Sequence, residues 1–202
     1  MAQSGIFVIK SISETKEQIR EVMLPIRINN QPLLLRRLEP GDIGLLCEYL
    51  ADLGEATRKR FGPHPADRKS LEEIYGNRDD ILGYIALNID SGAIIAYSVI
   101  KKGYLEHDAF RFRSYGLEPD PFTDCTFAPS VADNWQGYGL GSALFLFMLD
   151  DLVMKGFKRI ILWGGVQCNN LPALNYYRKF GFVIPGEFEY YGMNYDMIRI
   201  LE

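Results

Sequence analysis

The spacing of hydrophobic and polar positions changes several times along the chain, and each change predicts an element. Leu33 to Leu38 is a short apolar run that predicts a strand, and Glu39-Pro40-Gly41-Asp42 turns the chain and offers Asp42 as a helix N-cap. Beyond it Ile43, Leu46, Tyr49, Leu50 and Leu53 recur at three- and four-residue intervals, the stripe of a helix that packs on a sheet. Ser70 and Glu73 form a capping-box pattern that predicts a second helix starting at Ser70. Ile81 to Asn88 and Ala93 to Ile100 are apolar and partly β-branched, and Asp90-Ser91-Gly92 between them predicts a hairpin.

The second half is read in the same way. Glu106 to Asp124 is long, aromatic and proline-bearing, which predicts a functional loop or a twisted extension of neighbouring strands. Cys125 to Ala132 predicts a strand whose pairing is interrupted near Pro129. Ser142 to Lys155 sets Leu144, Phe145, Met148, Leu149 and Leu152 on one helical face, with Gly156 as its stop. Arg159 to Gly164 predicts a buried strand, Pro172 to Phe180 a short helix closed by Gly181, and Phe182 to Ile184 and Tyr195 to Leu201 the last strands. Before Leu33 lie a Phe7-Val8-Ile9 run, a helical pattern near Glu14 to Met23 and the turn Asn29-Asn30-Gln31-Pro32, set apart as an N-terminal extension over 1–32. The order of elements predicts an α/β or α+β fold with a single domain over 33–202.

Composition narrows the function. Hydrophobic residues make up 48% of the 202 and charged ones 24%, a balance that supports one buried core. The formal net charge of -4 provides no broad cationic field for a phosphate backbone, so nucleic acid is not an expected partner. The N-terminus has neither a signal-peptide nor a membrane-span pattern, so a cytoplasmic protein without a membrane partner is expected. Cys47, Cys125 and Cys168 are widely separated and read as buried thiols, and His64 and His107 show no metal-ligand spacing, so no metal is expected.

The most informative stretch is Val131-Ala132-Asp133-Asn134-Trp135-Gln136-Gly137-Tyr138-Gly139-Leu140-Gly141-Ser142, which joins a strand to an amphipathic helix through three alternating glycines. Such a turn can aim several backbone amides at one point beside the positive end of a helix dipole, a phosphate site that needs no basic side chain. A P-loop would require a lysine after Gly141, and Ser142 stands there. A dinucleotide fingerprint would need a long series of βαβ units, yet about sixty residues follow. A turn that merely packs the helix against the strand is the plain structural alternative.

Gln136-Gly137-Tyr138-Gly139-Leu140-Gly141 resembles the Q/R-x-x-G-x-G/A signature of the GNAT superfamily of acetyl-CoA-dependent N-acetyltransferases, and Ala132-Asp133-Asn134-Trp135 resembles the segment preceding it there. Asn170, followed seven residues later by Tyr177 and then by Arg178-Lys179-Phe180-Gly181-Phe182, resembles the N-x(6)-Y-x-K-x-G-F ending of the same family. The resemblance spans Leu33 to Leu201 in element order and is sharp from Val131 to Phe182. It implies a central mixed, mostly antiparallel sheet with a splayed parallel strand pair, flanked by helices, and acetyl-CoA as cosubstrate without a metal. It further implies that Val131 and Ala132 present backbone groups to the pantetheine arm and that the amides of Gln136, Gly137, Tyr138, Gly139, Leu140, Gly141 and Ser142 hold the pyrophosphate. Asn170 would contact the cofactor arm, against a plain reading as a helix cap.

Acyl transfer to an amine develops an oxyanion and expels a thiolate, so it needs an N–H donor and an acid. By the resemblance, Tyr177 is the catalytic acid and a main-chain amide near Val131 or Ala132 the oxyanion donor. Packing alone would make Tyr177 a core residue, since Ala173, Tyr176, Tyr177 and Phe180 share helical spacing. Glu106, His107 and Asp124 flank the central strands as candidate bases, with water as the alternative. Arg58 to Pro65 and the 106–124 loop, with Arg60, His64 and Arg111, are expected to form the acceptor wall. The expected partner is a small-molecule or peptide amine, with a homodimer allowed, and a non-catalytic acyl-CoA-binding or sensory domain is the rival function.

Overall fold

The computed structural model describes residues 23–76 and 79–201. The Phe7-Val8-Ile9 run and the helical pattern from Glu14 lie outside the described residues, except that Met23 begins a strand. That strand, β1 (Met23–Ile28), turns through Asn29 and Asn30, at φ 52° and 61°, into β2 (Gln31–Arg37). Asparagine tolerates the left-handed region because its short side chain bonds locally. Residues 23–28 of the stretch set apart as an extension therefore pair with β2, Ile26 facing Leu33.

The remaining elements are α1 (Ile43–Asp52), α2 (Glu55–Arg60), α3 (Arg68–Gly76), β3 (Ile81–Asn88), β4 (Ile94–Lys102), α4 (Ala109–Ser114), β5 (Asp124–Val131), α5 (Leu140–Met154), β6 (Arg159–Leu162), β7 (Val166–Gln167), α6 (Leu171–Lys179), β8 (Val183–Glu189) and β9 (Met193–Ile200). Hydrogen bonds order the strands β1-β2-β3-β4-β5-β6-β9-β7, with β8 on β9. The sheet is mixed and mostly antiparallel, flanked by helices, with β5 and β6 as its parallel pair. The parallel register ends at Phe127↔Leu162, while β5 continues to Val131.

The chain forms two compact units. The first contains the described residues up to 76 with Gly83–Ser98 and Pro129–Met148. Its core holds Leu33, Leu35, Leu46, Leu71, Tyr84, Ile85, Tyr97, Leu140 and Phe145. Asp42 precedes α1 as expected, but its carboxylate accepts from Arg36 (2.5 and 2.8 Å) and the Glu39 amide (2.9 Å) rather than capping the helix. The start of α3 also differs from the pattern. Asp67 accepts the Ser70 amide (3.0 Å) and hydroxyl (2.7 Å), so the helix opens at Arg68, and Ser70 is a donor within its first turn.

The second unit contains residues 79–82, Val99–Ala128 and 149–201. Phe112, Ile161 and Ile198 form a core cluster with Tyr104, Tyr115 and Leu117 packed against it. The 106–124 segment is not a featureless loop, because Phe112 in this cluster anchors α4. Among the described residues no helix is long and apolar enough to cross a membrane.

Candidate functional site

In the first unit, β5 ends at Val131 and the chain makes one 3-10 turn over Asp133–Trp135 before the glycines. Gly137 and Gly139 take φ of 80° and 86°, and among the described residues a Cβ at either would meet nothing within 4 Å beyond its chain neighbours. Glycine is required here by conformation, while the space around it stays open. Leu140 is fully buried and pins the start of α5, whereas Gln136, Gly137, Tyr138 and Gly139 remain exposed. The Ala143 amide donates to the Gly139 carbonyl at 3.0 Å. The amides of Leu140 and Ser142 are among those that a helix start leaves without an intrahelical acceptor. The loop thus has the donor set and the open approach that fit a phosphate group.

Ala132 is already engaged. Its amide donates to the Ile95 carbonyl (3.0 Å) and its carbonyl accepts from the Trp135 amide (2.8 Å), so this amide is not a spare oxyanion donor. The Val131 carbonyl accepts from Gln136 Nε2 at 3.1 Å. Sequence reasoning missed the side chains that join this turn to α2. Asp133 Oδ2 accepts from the Gly54 amide (2.8 Å), Asp133 Oδ1 from the Thr57 hydroxyl (2.7 Å), and Thr57 Oγ1 from Gln136 Nε2 (3.3 Å). The Gly54 amide and the Thr57 hydroxyl hold the Asp133 carboxyl below its ordinary pKa. The three polar residues share no periodic pattern: Asp133 and Gln136 stand in the Ala132-Asp133-Asn134-Trp135 segment and the glycine signature, while Thr57 carried no signal and the contacts among the three were not legible.

Tyr97, on the first-unit part of β4, is the centre of a second polar cluster. Its hydroxyl lies within hydrogen-bond distance of Tyr75 Oη and is 2.8 Å from His64 Nε2. His64 Nδ1 is 2.9 Å from the Pro65 carbonyl, an acceptor, so the proton sits on Nδ1 and Nε2 accepts from Tyr97. Burial lowers the His64 pKa. With both ring nitrogens engaged and Phe61 packed edge-on against Tyr97 at 5.9 Å, His64 holds the 61–65 turn to β4. Ser130 Oγ donates to the Tyr97 carbonyl (3.4 Å) and accepts from Tyr49 (2.9 Å), filling the polar space beside Pro129.

In the second unit, Asn170 is the N-cap of α6, and its Oδ1 accepts from the Ala173 amide at 3.4 Å. Tyr177, 9% exposed, packs against Tyr176 and Phe182 at ring distances of 5.2 and 5.4 Å. Burial pushes its phenol pKa well up, which keeps the hydroxyl protonated through neutral pH. Arg111 is committed to structure. Its guanidinium binds Asp196 (2.6 and 3.0 Å) and Asp108 (2.9 Å) and lies 3.8 Å from the Phe188 ring centre. Asp124 is likewise taken up as a base, gripped by Arg159 at 2.9 and 2.5 Å. His107 is exposed, its Nε2 3.5 Å from Asp108, and Glu106 is an exposed residue of the same 3-10 turn. The expected acceptor residue Arg111 and candidate base Asp124 are thus corrected to internal ion pairs. Cys125 is buried as expected, whereas Cys47 and Cys168 are only partly so. Among the described residues no His, Cys, Asp and Glu group could hold a metal ion.

A mixed sheet flanked by helices, with a positive-φ glycine turn leading from β5 into α5, defines an α/β protein. The model described as the acetyltransferase (GNAT) family matches residues 48–182, and the chain belongs to that family. The GNAT domain of S. lividans PAT superposes with a TM-score of 0.70 at 18% identity, covering 89% of this chain and 97% of that one. Ribosomal-protein-S5-alanine acetyltransferase from Vibrio fischeri gives a TM-score of 0.68 at 12% identity, covering 89% and 97%. These two likenesses show the fold. A mycothiol acetyltransferase from Corynebacterium aurimucosum is 31% identical over 78 residues, 39% of this chain and 25% of that protein. The match thus spans about a quarter of that curated relative.

Proposed function

We propose that the protein is an N-acetyltransferase that moves an acetyl group from acetyl-CoA to a primary amine by direct attack in a ternary complex. The observation that carries this reading is the turn in which Gly137 and Gly139, both at positive φ with open space beyond, lead into α5. Bound acetyl-CoA supplies the thioester carbon that the amine attacks and the thiolate that leaves. The amides from Gly137 to Ser142 would hold the pyrophosphate without a basic side chain, which suits an acidic protein. Gln136, its amide group donating to Thr57 and Val131, shapes the loop instead of pairing with phosphate.

Tyr177 is the acid in this reading. Burial keeps its hydroxyl protonated at rest, and in this reading that proton passes to the sulfur of the departing thiolate as negative charge develops there. Water is the base that takes the amine proton in this reading, since Asp124 is bound to Arg159, with Glu106 and His107, exposed on their 3-10 turn, as the side-chain alternatives. A relative is named for mycothiol and another for a ribosomal-protein alanine, so the acceptor panel must cover small amines, amino sugars, peptide N-termini and lysine. Release of coenzyme A with an acetylated product of matching mass, and intersecting initial-rate lines, is the expected result. Tight acetyl-CoA binding without any product would leave an acyl-CoA-binding domain, and parallel lines would replace direct attack with an acyl-enzyme.

A further inference from the structure

Helix α2 has six residues, none of them buried. A helix this short is marginal in water, and with no apolar face in the core it must be held by polar contacts. Its own help is slight: Lys59 pairs with Glu55 at 2.7 Å on the surface, and Arg58 donates to the Ala51 carbonyl at 3.3 Å. The stronger hold comes from the cofactor turn. Asp133 caps the helix through the Gly54 amide and the Thr57 hydroxyl, and Gln136 donates to that same hydroxyl oxygen. A Cβ on Gly54 would lie 3.1 to 3.2 Å from the Asp133 carboxylate, so a side chain at this cap would push against Asp133.

Asp133 and Gln136 bracket the 3-10 turn that feeds Gly137, and the Gln136 amide donates to the Asp133 carbonyl at 3.4 Å. A ligand gripping the amides that follow would fix the backbone of Gln136 and, through its side chain, Thr57. We infer that Asp133 is a positioning residue that, through Thr57 and Gln136, makes occupation of the glycine loop by acetyl-CoA and the ordering of α2 one coupled event. This inference rests on the acetyl-CoA reading of the loop. Its consequence is that the cationic segment Arg58-Lys59-Arg60 is held more firmly once the acyl donor is in place. Linkage requires the effect to be reciprocal, so loosening α2 weakens the loop's hold on the ligand by the same factor.

Hydrogen exchange of residues 54–60 with and without coenzyme A tests this, in the full chain and in Asp133→Asn and Thr57→Val. Both substitutions leave the glycines untouched. Protection in the wild type should rise about tenfold at saturating coenzyme A, and by less than about twofold in either variant. Coenzyme A affinity by calorimetry should fall by about the same tenfold in both variants. Equal ligand-induced protection in the wild type and in Thr57→Val overturns the inference, because a purely structural contact lowers protection equally in both states. So does binding of coenzyme A that leaves residues 54–60 unchanged in the wild type. No binding of coenzyme A to the wild type removes the function reading itself and the inference with it, a result that calorimetry alone distinguishes.

Discussion

The glycine loop and helix α6 carry the two halves of one sequence resemblance, yet they are built in opposite ways. The loop is backbone presented to open space, with Gly137 and Gly139 at positive φ and only Leu140 sunk into the core. In α6 the residue of interest is a side chain closed in by other rings, Tyr177 against Tyr176 and Phe182. A site made of amides depends on conformation, which glycine spacing encodes directly. A role resting on one hydroxyl is superimposed on a packing role, and spacing alone does not separate the two.

The largest effect is expected where conformation is everything. Gly139→Val forces a β-branched residue to φ 86° and projects a side chain into the approach to the amides, at a stability cost of about 1–3 kcal/mol. Because among the described residues a Cβ there meets nothing within 4 Å beyond its chain neighbours, the rest of the fold should persist. The thermal stabilisation by acetyl-CoA should vanish. Gly116→Val in the second unit is the control, since Gly116 has a φ of 76° and the same open surroundings. It should carry similar strain and retain the response. A preserved response in Gly139→Val, or its loss in both variants, would break the contrast.

Next comes the hydroxyl. Tyr177→Phe retains the ring contacts and deletes only the donor, so acetyl-CoA affinity should hardly change. Single-turnover acetyl transfer should slow by about 10- to 1000-fold, equivalent to about 1.4 to 4 kcal/mol of barrier. An unchanged chemical rate would return Tyr177 to core packing and leave water as the acid.

The same contrast explains what was legible in the chain. Long periodic elements were read well: the stripe of α1, the β3–β4 hairpin with Gly92 at φ 69°, α5 with Gly156 at φ 83° behind it, and α6. The missed elements are short and held from far along the chain. The α2 segment, Glu-Ala-Thr-Arg-Lys-Arg, has no apolar stripe to detect, and its cap is Asp133, 79 residues from Gly54. The α4 segment, Ala-Phe-Arg-Phe-Arg-Ser, alternates like a strand, but Phe112 is buried and Arg111 reaches Asp196, 85 residues away. Two-residue β7 is defined only by its pairing with β9. In the site, motif residues were visible because glycine and tyrosine stand at fixed spacing. The Asp133–Thr57–Gln136 chain and the Tyr97 cluster were not, because their members meet only after folding.

The smallest effect lies at Asn170, where both building styles meet in one side chain. Its Oδ1 caps α6 through the Ala173 amide, at a long 3.4 Å, while the family resemblance gives it a contact to the cofactor arm. Asn170→Ala removes both functions and should lower stability by about 0.5–2 kcal/mol, the usual cost of losing a cap. Asn170→Ser keeps an uncharged capping acceptor of comparable quality but has no amide donor and a shorter reach. If the side-chain amide holds the cofactor, acetyl-CoA affinity should fall by a similar factor in both variants, while denaturant midpoints fall only in Asn170→Ala. If capping is its whole role, affinity should follow stability and Asn170→Ser should resemble the wild type in both. The second pattern would confine the cofactor contacts of this motif to α6 beyond its cap, and would make the α6 half of the resemblance a matter of fold geometry, with the glycine loop alone carrying recognition.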